Sequence, residues 1–167
     1  MKIATQKIDS KTDAGAVPKV TMTQVTEAVR VLRSFIGPVQ LEILGDACRG
    51  EEREFFKAKL LELAEIVEHM PKSYEQESKG DQAVAHLHYF TGAWDWYITE
   101  RDAGSDDDGQ DACETQVFGL VCGFEEEIGY ISLEEITRAG AELDLYFKPK
   151  TLKELRAAHS REESPGP

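Results

Sequence analysis

The amino-acid sequence predicts an α+β domain: N-terminal helices, then a mostly antiparallel sheet of about five strands with a short inserted helix and a C-terminal helix. Three observations predict it. Apolar residues recur at spacings of three and four as far as Pro71, which is the helical period. From Val84 onward the period falls to two, in runs short enough to be strands. The chain of 167 residues suits one domain with a core of its own, so both parts belong to a single fold.

Residues 1–20 read as a polar, flexible tail, and the domain spans 21–159, with a helical part over 21–71 and a sheet part over 84–155. The first helix opens at TMTQ, where Thr21 can cap it and Gln24 holds the capping-box position. Val25, Ala28, Val29, Leu32 and Ile36 form its apolar face, and Gly37-Pro38 ends it. A shorter helix follows in VQLEILGDA. A third, EEREFFKAKLLELAEIVEHM, sets Phe56, Leu60, Leu63, Val67 and Met70 on one side, with acids in its first turn where the helix dipole favours them.

After the polar linker KSYEQESKGDQ, the strand expectations are VAHLHYF (84–90), AWDWYIT (93–99), QVFGLVC (116–122), IGYIS (128–132) and LDLYF (143–147). Thr91-Gly92 reads as a hairpin turn, and Phe124 to Glu127 as the turn between the third and fourth strands. Gly119, Gly123 and Gly129 fall among strand residues, as at bulges or turns. Ser132 to Glu135 is a capping box that starts a short helix over 133–139. Thr151 to Glu154 is another, opening a terminal helix that gives way to a disordered tail at 160–167.

The formal charge is −13, and its placement is uneven. Between Glu100 and Glu135 there are twelve acids and one base, Arg101, whereas the rest of the chain is nearly balanced. That sign excludes a basic groove for direct nucleic-acid binding. Cys48, Cys113 and Cys122 have no CxxC spacing, which argues against a disulfide framework or structural zinc and for a reducing compartment. The first twenty residues hold no apolar block of the signal-peptide kind. No run approaches the ~20 apolar residues that span a bilayer. The expectation is a cytoplasmic protein with no membrane segment and no cofactor.

His86 and His88 alternate on one strand face, so two metal ligands there are geometrically possible, but no spacing supplies a third. Structural or surface histidines are the commoner outcome of such a pattern. Glu100 and Asp102 share a strand face and are the nearest thing to an acid/base carboxylate pair. Nothing matches HExxH, a nucleophile elbow, a Walker loop or a dinucleotide fingerprint. The alternative use of the acids is recognition: a dense acidic surface docks on a basic protein or imitates a phosphate backbone. Glu100, Asp102, Asp106, Asp107, Asp108, Asp111, Glu125, Glu126 and Glu127 are the residues for that role. Alternation puts Trp94, Trp96 and Ile98 toward the core. It turns Tyr97 and Tyr146 to an outer face, where they join the acids as partner-binding candidates.

The runs WDWYITE, FGLVCGFEEEIGYISLEEI and ELDLYFKPKTLKEL, in this order, resemble the bacterial family catalogued as domain of unknown function 2958. Its members show a tryptophan-aromatic strand ending in T-E, an FGL-x-x-G strand, an E-x-G-Y-x-S-L-x-E step and a final DLYF-x-P. The match covers about residues 85–155, and the stretch from Asp102 to Gln116 is longer and more acidic here than in typical members. The resemblance implies a mobile-element setting, since members are frequent on conjugative plasmids and integrative elements among transfer, maintenance and anti-restriction genes. It carries no catalytic residue. The functional expectation is a non-enzymatic accessory protein of a mobile element that binds a basic protein partner, with countering of host defence as its sharper form. The alternatives are a small metal-dependent hydrolase using His86, His88 and nearby carboxylates, and an assembly or stability factor for conjugative transfer.

Overall fold

The computed structural model describes residues 19–102 and 116–162. Helix α1 is Met22–Leu32, and both halves of its capping box form: Thr21 Oγ1 accepts from Gln24 N–H, and Gln24 Oε1 accepts from Thr21 N–H. Helix α2, Pro38–Ala47, starts on its proline, where a missing N–H leaves no intrahelical bond unmade. Helix α3, Arg53–His69, ends before Pro71. These helices bury Leu32, Leu44, Leu60, Leu63 and Val67 against one face of the sheet, with Phe35 and Ile36 from the α1–α2 connection.

The sheet strands, with a two-residue ladder beside them, are β1 (Val84–Ala85), β2 (Leu87–Thr91), β3 (Trp94–Arg101), β4 (Gln116–Cys122), β5 (Glu126–Ser132), β6 (Glu142–Leu143) and β7 (Lys150–Thr151). Five of them form an antiparallel sheet in the order β5-β4-β3-β2-β6, and β1 pairs with β7. Helix α4, Leu133–Arg138, lies between β5 and β6, and α5, Leu152–Glu162, follows β7. The edge at β6 is closed by a side chain: Gln40 of α2 donates to Leu143 C=O at 2.8 Å and accepts from its N–H at 2.9 Å, as a neighbouring strand would.

Both faces of the sheet are covered over its central part. Leu87, Tyr89, Ile98, Val117 and Ile131 point to α1–α4, and Tyr89 lies fully inside with its hydroxyl donating to Phe35 C=O at 2.6 Å. Ala85, Tyr97, Leu120 and Cys122 point the other way, under Leu152 and Leu155 of α5. This corrects the outer-face expectation for Tyr97, which is only 8% exposed. Alternation separates two faces but does not say whether the second has a cover.

Four further differences have local causes. The run 84–90 splits, since Val84–Ala85 pairs with β7 and only Leu87 onward pairs with β3. Trp96 is half-buried and Trp94 37% exposed, so the core side of β3 opens to solvent toward its start. The run 143–147 keeps just Leu143 as strand, because Asp144 Oδ1 accepts from Tyr146 N–H at 2.9 Å and bends the chain. Helix α5 continues to Glu162, into the stretch expected as tail. Most of the expected N-terminal tail lies outside the described residues, and Val20, at its end, packs against the core.

Candidate functional site

Strand β4 runs from Gln116 to Cys122 and delivers Glu125, Glu126 and Glu127 to the far end of the sheet from Asp102. Acid that is continuous in sequence is thus divided between the two ends of the described sheet, about 20 Å apart at strand rise. Asp106, Asp107, Asp108 and Asp111 lie outside the described residues.

The β4–β5 turn carries the most exposed large apolar side chain among the described residues, Phe124, at 94%. Its ring meets Trp94 edge-on at 5.6 Å between centroids, and Trp94 stacks on Trp96 at 6.0 Å. Gly123 makes the stack possible, because a Cβ there would stand 2.4 Å from the Trp94 ring. The phenyl group is therefore braced on an aromatic tier that leads to the core. Exposed Glu125, Glu126 and Glu127 follow it directly in sequence. Glu126 also stands 3.2 Å from Arg156 Nε of α5, near enough for charge attraction but without hydrogen-bond geometry.

Glu100 has a different setting from the one alternation assigns. Strict period two would put it beside Ile98, in the apolar core. A bulge at Thr99 shifts the register, so that Glu100 pairs with Phe118 and turns to the α5 side. There it is 4% exposed and accepts from Tyr74 N–H at 2.8 Å and Gln76 N–H at 2.6 Å. Gln76 completes the clamp: its side chain donates to Val84 C=O and Thr99 C=O and accepts from Val84 N–H. Glu100 is a buried structural carboxylate, which corrects its placement on a partner-facing surface and separates it from Asp102, which is exposed.

His88 sits under α5 with Nε2 at 2.7 Å from Asp95 Oδ1 and Nδ1 at 3.1 Å from Asp144 Oδ2, stacked on Tyr97 at 4.6 Å. Tyr97 in turn meets His159 Nε2 through its hydroxyl at 3.1 Å. Both ring nitrogens of His88 are thus occupied by carboxylate partners, so neither is open to a metal ion in this arrangement. Among the described residues no group of three or more histidines, cysteines, aspartates or glutamates is arranged to hold a metal ion. Tyr146 is exposed, as expected, but lies near Phe55 of α3, with Lys59 Nζ 5.7 Å from its ring, so it shares no surface with Tyr97.

His86 is half-buried where β1 gives way to β2, and desolvation, with a smaller contribution from Lys79, holds its imidazole below the ordinary 6.5. A depressed histidine binds fewer protons folded than unfolded. Its stabilising contribution is present above 6.5 and is lost as pH falls through the folded value. Denaturant titrations between about pH 7 and pH 5 should show stability falling with pH, and His86→Gln should flatten that fall. An unchanged slope in the variant would assign the pH dependence elsewhere.

Sequence reasoning missed Phe124 as more than a turn residue, and it passed over Tyr74, Gln76 and Tyr130 in stretches read as linker and strand. The signal for Phe124 was present: a large apolar residue between Gly123 and three glutamates has nothing nearby in sequence to bury it. None of the described helices is long and apolar enough to cross a membrane. Compared with known proteins, the chain matches no family model, no curated protein and no solved structure.

Proposed function

We propose that this is a non-enzymatic accessory protein that binds a basic protein partner at the β4–β5 end of its sheet. The observation that carries the reading is Phe124, an exposed phenyl group braced by Trp94 and followed by three exposed glutamates. An aromatic anchor inside a charged rim is the arrangement in which a few residues supply most of an interface's affinity. The glutamates set the sign of the partner, accelerate its encounter and keep the β5 edge from pairing with another sheet. The mobile-element setting, and the countering of host defence within it, rest on the resemblance of residues 85–155. The metal-dependent alternative is weakened by the two carboxylates on His88.

The test pairs two variants with one partner. Phe124→Ala removes a side chain that touches little, so the melting temperature should stay within a degree or two. Binding to the partner isolated with the parent chain should weaken by roughly 30-fold or more, the range of an interface hot spot. Glu125→Gln with Glu127→Gln should slow association at low salt and flatten its salt dependence, because steering is screened over ~8 Å at physiological ionic strength. A partner held equally well by both variants at every salt concentration would overturn the proposal.

A further inference from the structure

On the α5 side of β4 and β5 the clamped turn encloses a cavity of about 430 Å³, within the range of small-ligand sites. Its floor is buried: Thr99 and Glu100 from the bulge, Ala83, and Leu152 at the start of α5. Its rim is aromatic and exposed. Tyr130 of β5 donates a hydrogen bond to the Tyr74 hydroxyl at 3.0 Å and packs edge-on against Phe118 at 5.3 Å, with Ile128 beside it. Glu77 and Asp81, from the 3-10 segment Glu77–Gln82, stand at the wall; Asp81 is ion-paired with Arg156 of α5, which leaves Glu77 and Glu100 as the lining carboxylates without a cationic partner among the described residues. The Tyr130 hydroxyl is held above its ordinary value, first by the bond to Tyr74 and then by desolvation, with smaller contributions from the charges of Glu100 and Asp102.

We infer that this cavity binds an organic cation, an alkylammonium or guanidinium group, between the carboxylate-lined interior and the rings of Tyr74 and Tyr130. Two physical terms act together. A carboxylate keeps lone pairs beyond the two backbone N–H groups that Glu100 accepts, so it can also receive a charged N–H. The faces of tyrosine rings attract a cation most where water is excluded, which the apolar side chains of Phe118, Ile128 and Leu152 promote. A neutral ligand of the same shape gains neither term, and an anion is repelled by Glu77 and Glu100. The backbone supports the arrangement as well. Among the described residues Tyr74 is the non-glycine residue at positive φ, +73°, and Glu100 holds it there, which brings its hydroxyl to Tyr130. The site stands on the cavity and not on the Phe124 end, so it and the proposed function can fail separately.

The cation can be a free small molecule or a lysine or arginine side chain of a protein, and titration by NMR separates the two. The probes are n-butylguanidinium, n-butylammonium, neutral n-pentanol, and short peptides carrying one arginine or one lysine among neutral residues. The expected result is saturable shifts at Tyr74, Phe118, Ile128 and Tyr130 with the cations and none with pentanol. Saturation by the free cations at about 1 mM identifies a small-molecule site, and saturation only by the peptides identifies a side-chain site. Two variants keep the turn intact: Tyr130→Ala removes an exposed ring, and Tyr74→Gly removes the other at a φ where glycine is unstrained. Each should weaken cation binding about tenfold without lowering the melting temperature. Equal responses to cation and pentanol, no saturable response to any probe, or undiminished binding in both variants would overturn the inference.

Discussion

Gly119→Ala is expected to destabilise the domain by roughly 3 kcal/mol or more, a large effect for one added methyl group. Gly119 pairs with Ile98 on β3 and with Gly129 on β5, directly beside the Thr99 bulge. A Cβ at this position would stand 2.0 Å from the Tyr97 carbonyl oxygen, 2.9 Å from its carbon and 3.0 Å from Ile98 Cα. All three are backbone atoms of the central strand, so no side chain can rotate away and the strands themselves must part. Thermal unfolding should show the melting temperature lowered by roughly 10 °C, at the 2–4 °C per kcal/mol of a domain this size. Gly129→Ala is the control, since nothing lies within 4 Å of a Cβ there. If both variants melt alike, β3 and β4 do not approach as closely as this register requires.

Much of the fold was legible because local chemistry and tertiary packing agree. The boxes at Thr21–Gln24 and Thr151–Glu154 close with both hydrogen bonds at each place, and Ser132 accepts from Glu135 N–H at the start of α4. The hairpin at Thr91-Gly92 forms with Gly92 at positive φ, and β4 occupies its expected residues. What failed depends on contacts distant in sequence. Tyr97 alternates as an outward residue and is buried because α5, with Leu152 and Leu155 as buried anchors, returns to cover it. Gln40 completes backbone pairing at Leu143, far away in the chain, and Gln76 ties Val84 to Thr99, and nothing in a glutamine's neighbours announces either role. The acids between Glu100 and Glu135 formed one cluster in sequence, but the strand between them separates the described members. Among the described members, Glu125, Glu126 and Glu127 are exposed and directly follow the exposed aromatic Phe124.

Glu100→Gln is expected to destabilise almost as much as Glu100→Ala, by roughly 2–4 kcal/mol, although it preserves size and shape. The reason lies in what the carboxylate receives. Its two oxygens accept two different backbone donors, Tyr74 N–H and Gln76 N–H, and hydrogen bonds to a charged acceptor are the stronger kind. An amide has one acceptor oxygen; its NH2 would face the other N–H, leaving a buried donor opposed by a donor. Alanine leaves both donors unpaired but makes room for water, which offsets part of its loss. Tyr74 would then lose the contact that holds it at positive φ and relax to an extended or helical conformation, opening the rim formed with Tyr130. Three readouts should change together in the glutamine variant: a lower melting temperature, faster hydrogen exchange at the Tyr74 and Gln76 amides, and loss of cation binding. Tyr74→Gly, which keeps Glu100, should keep the first at the parent level and weaken cation binding only. A glutamine variant that melts with the parent and keeps both amides protected would mean that the clamp does not depend on charge, and that the bulge alone sets the turn.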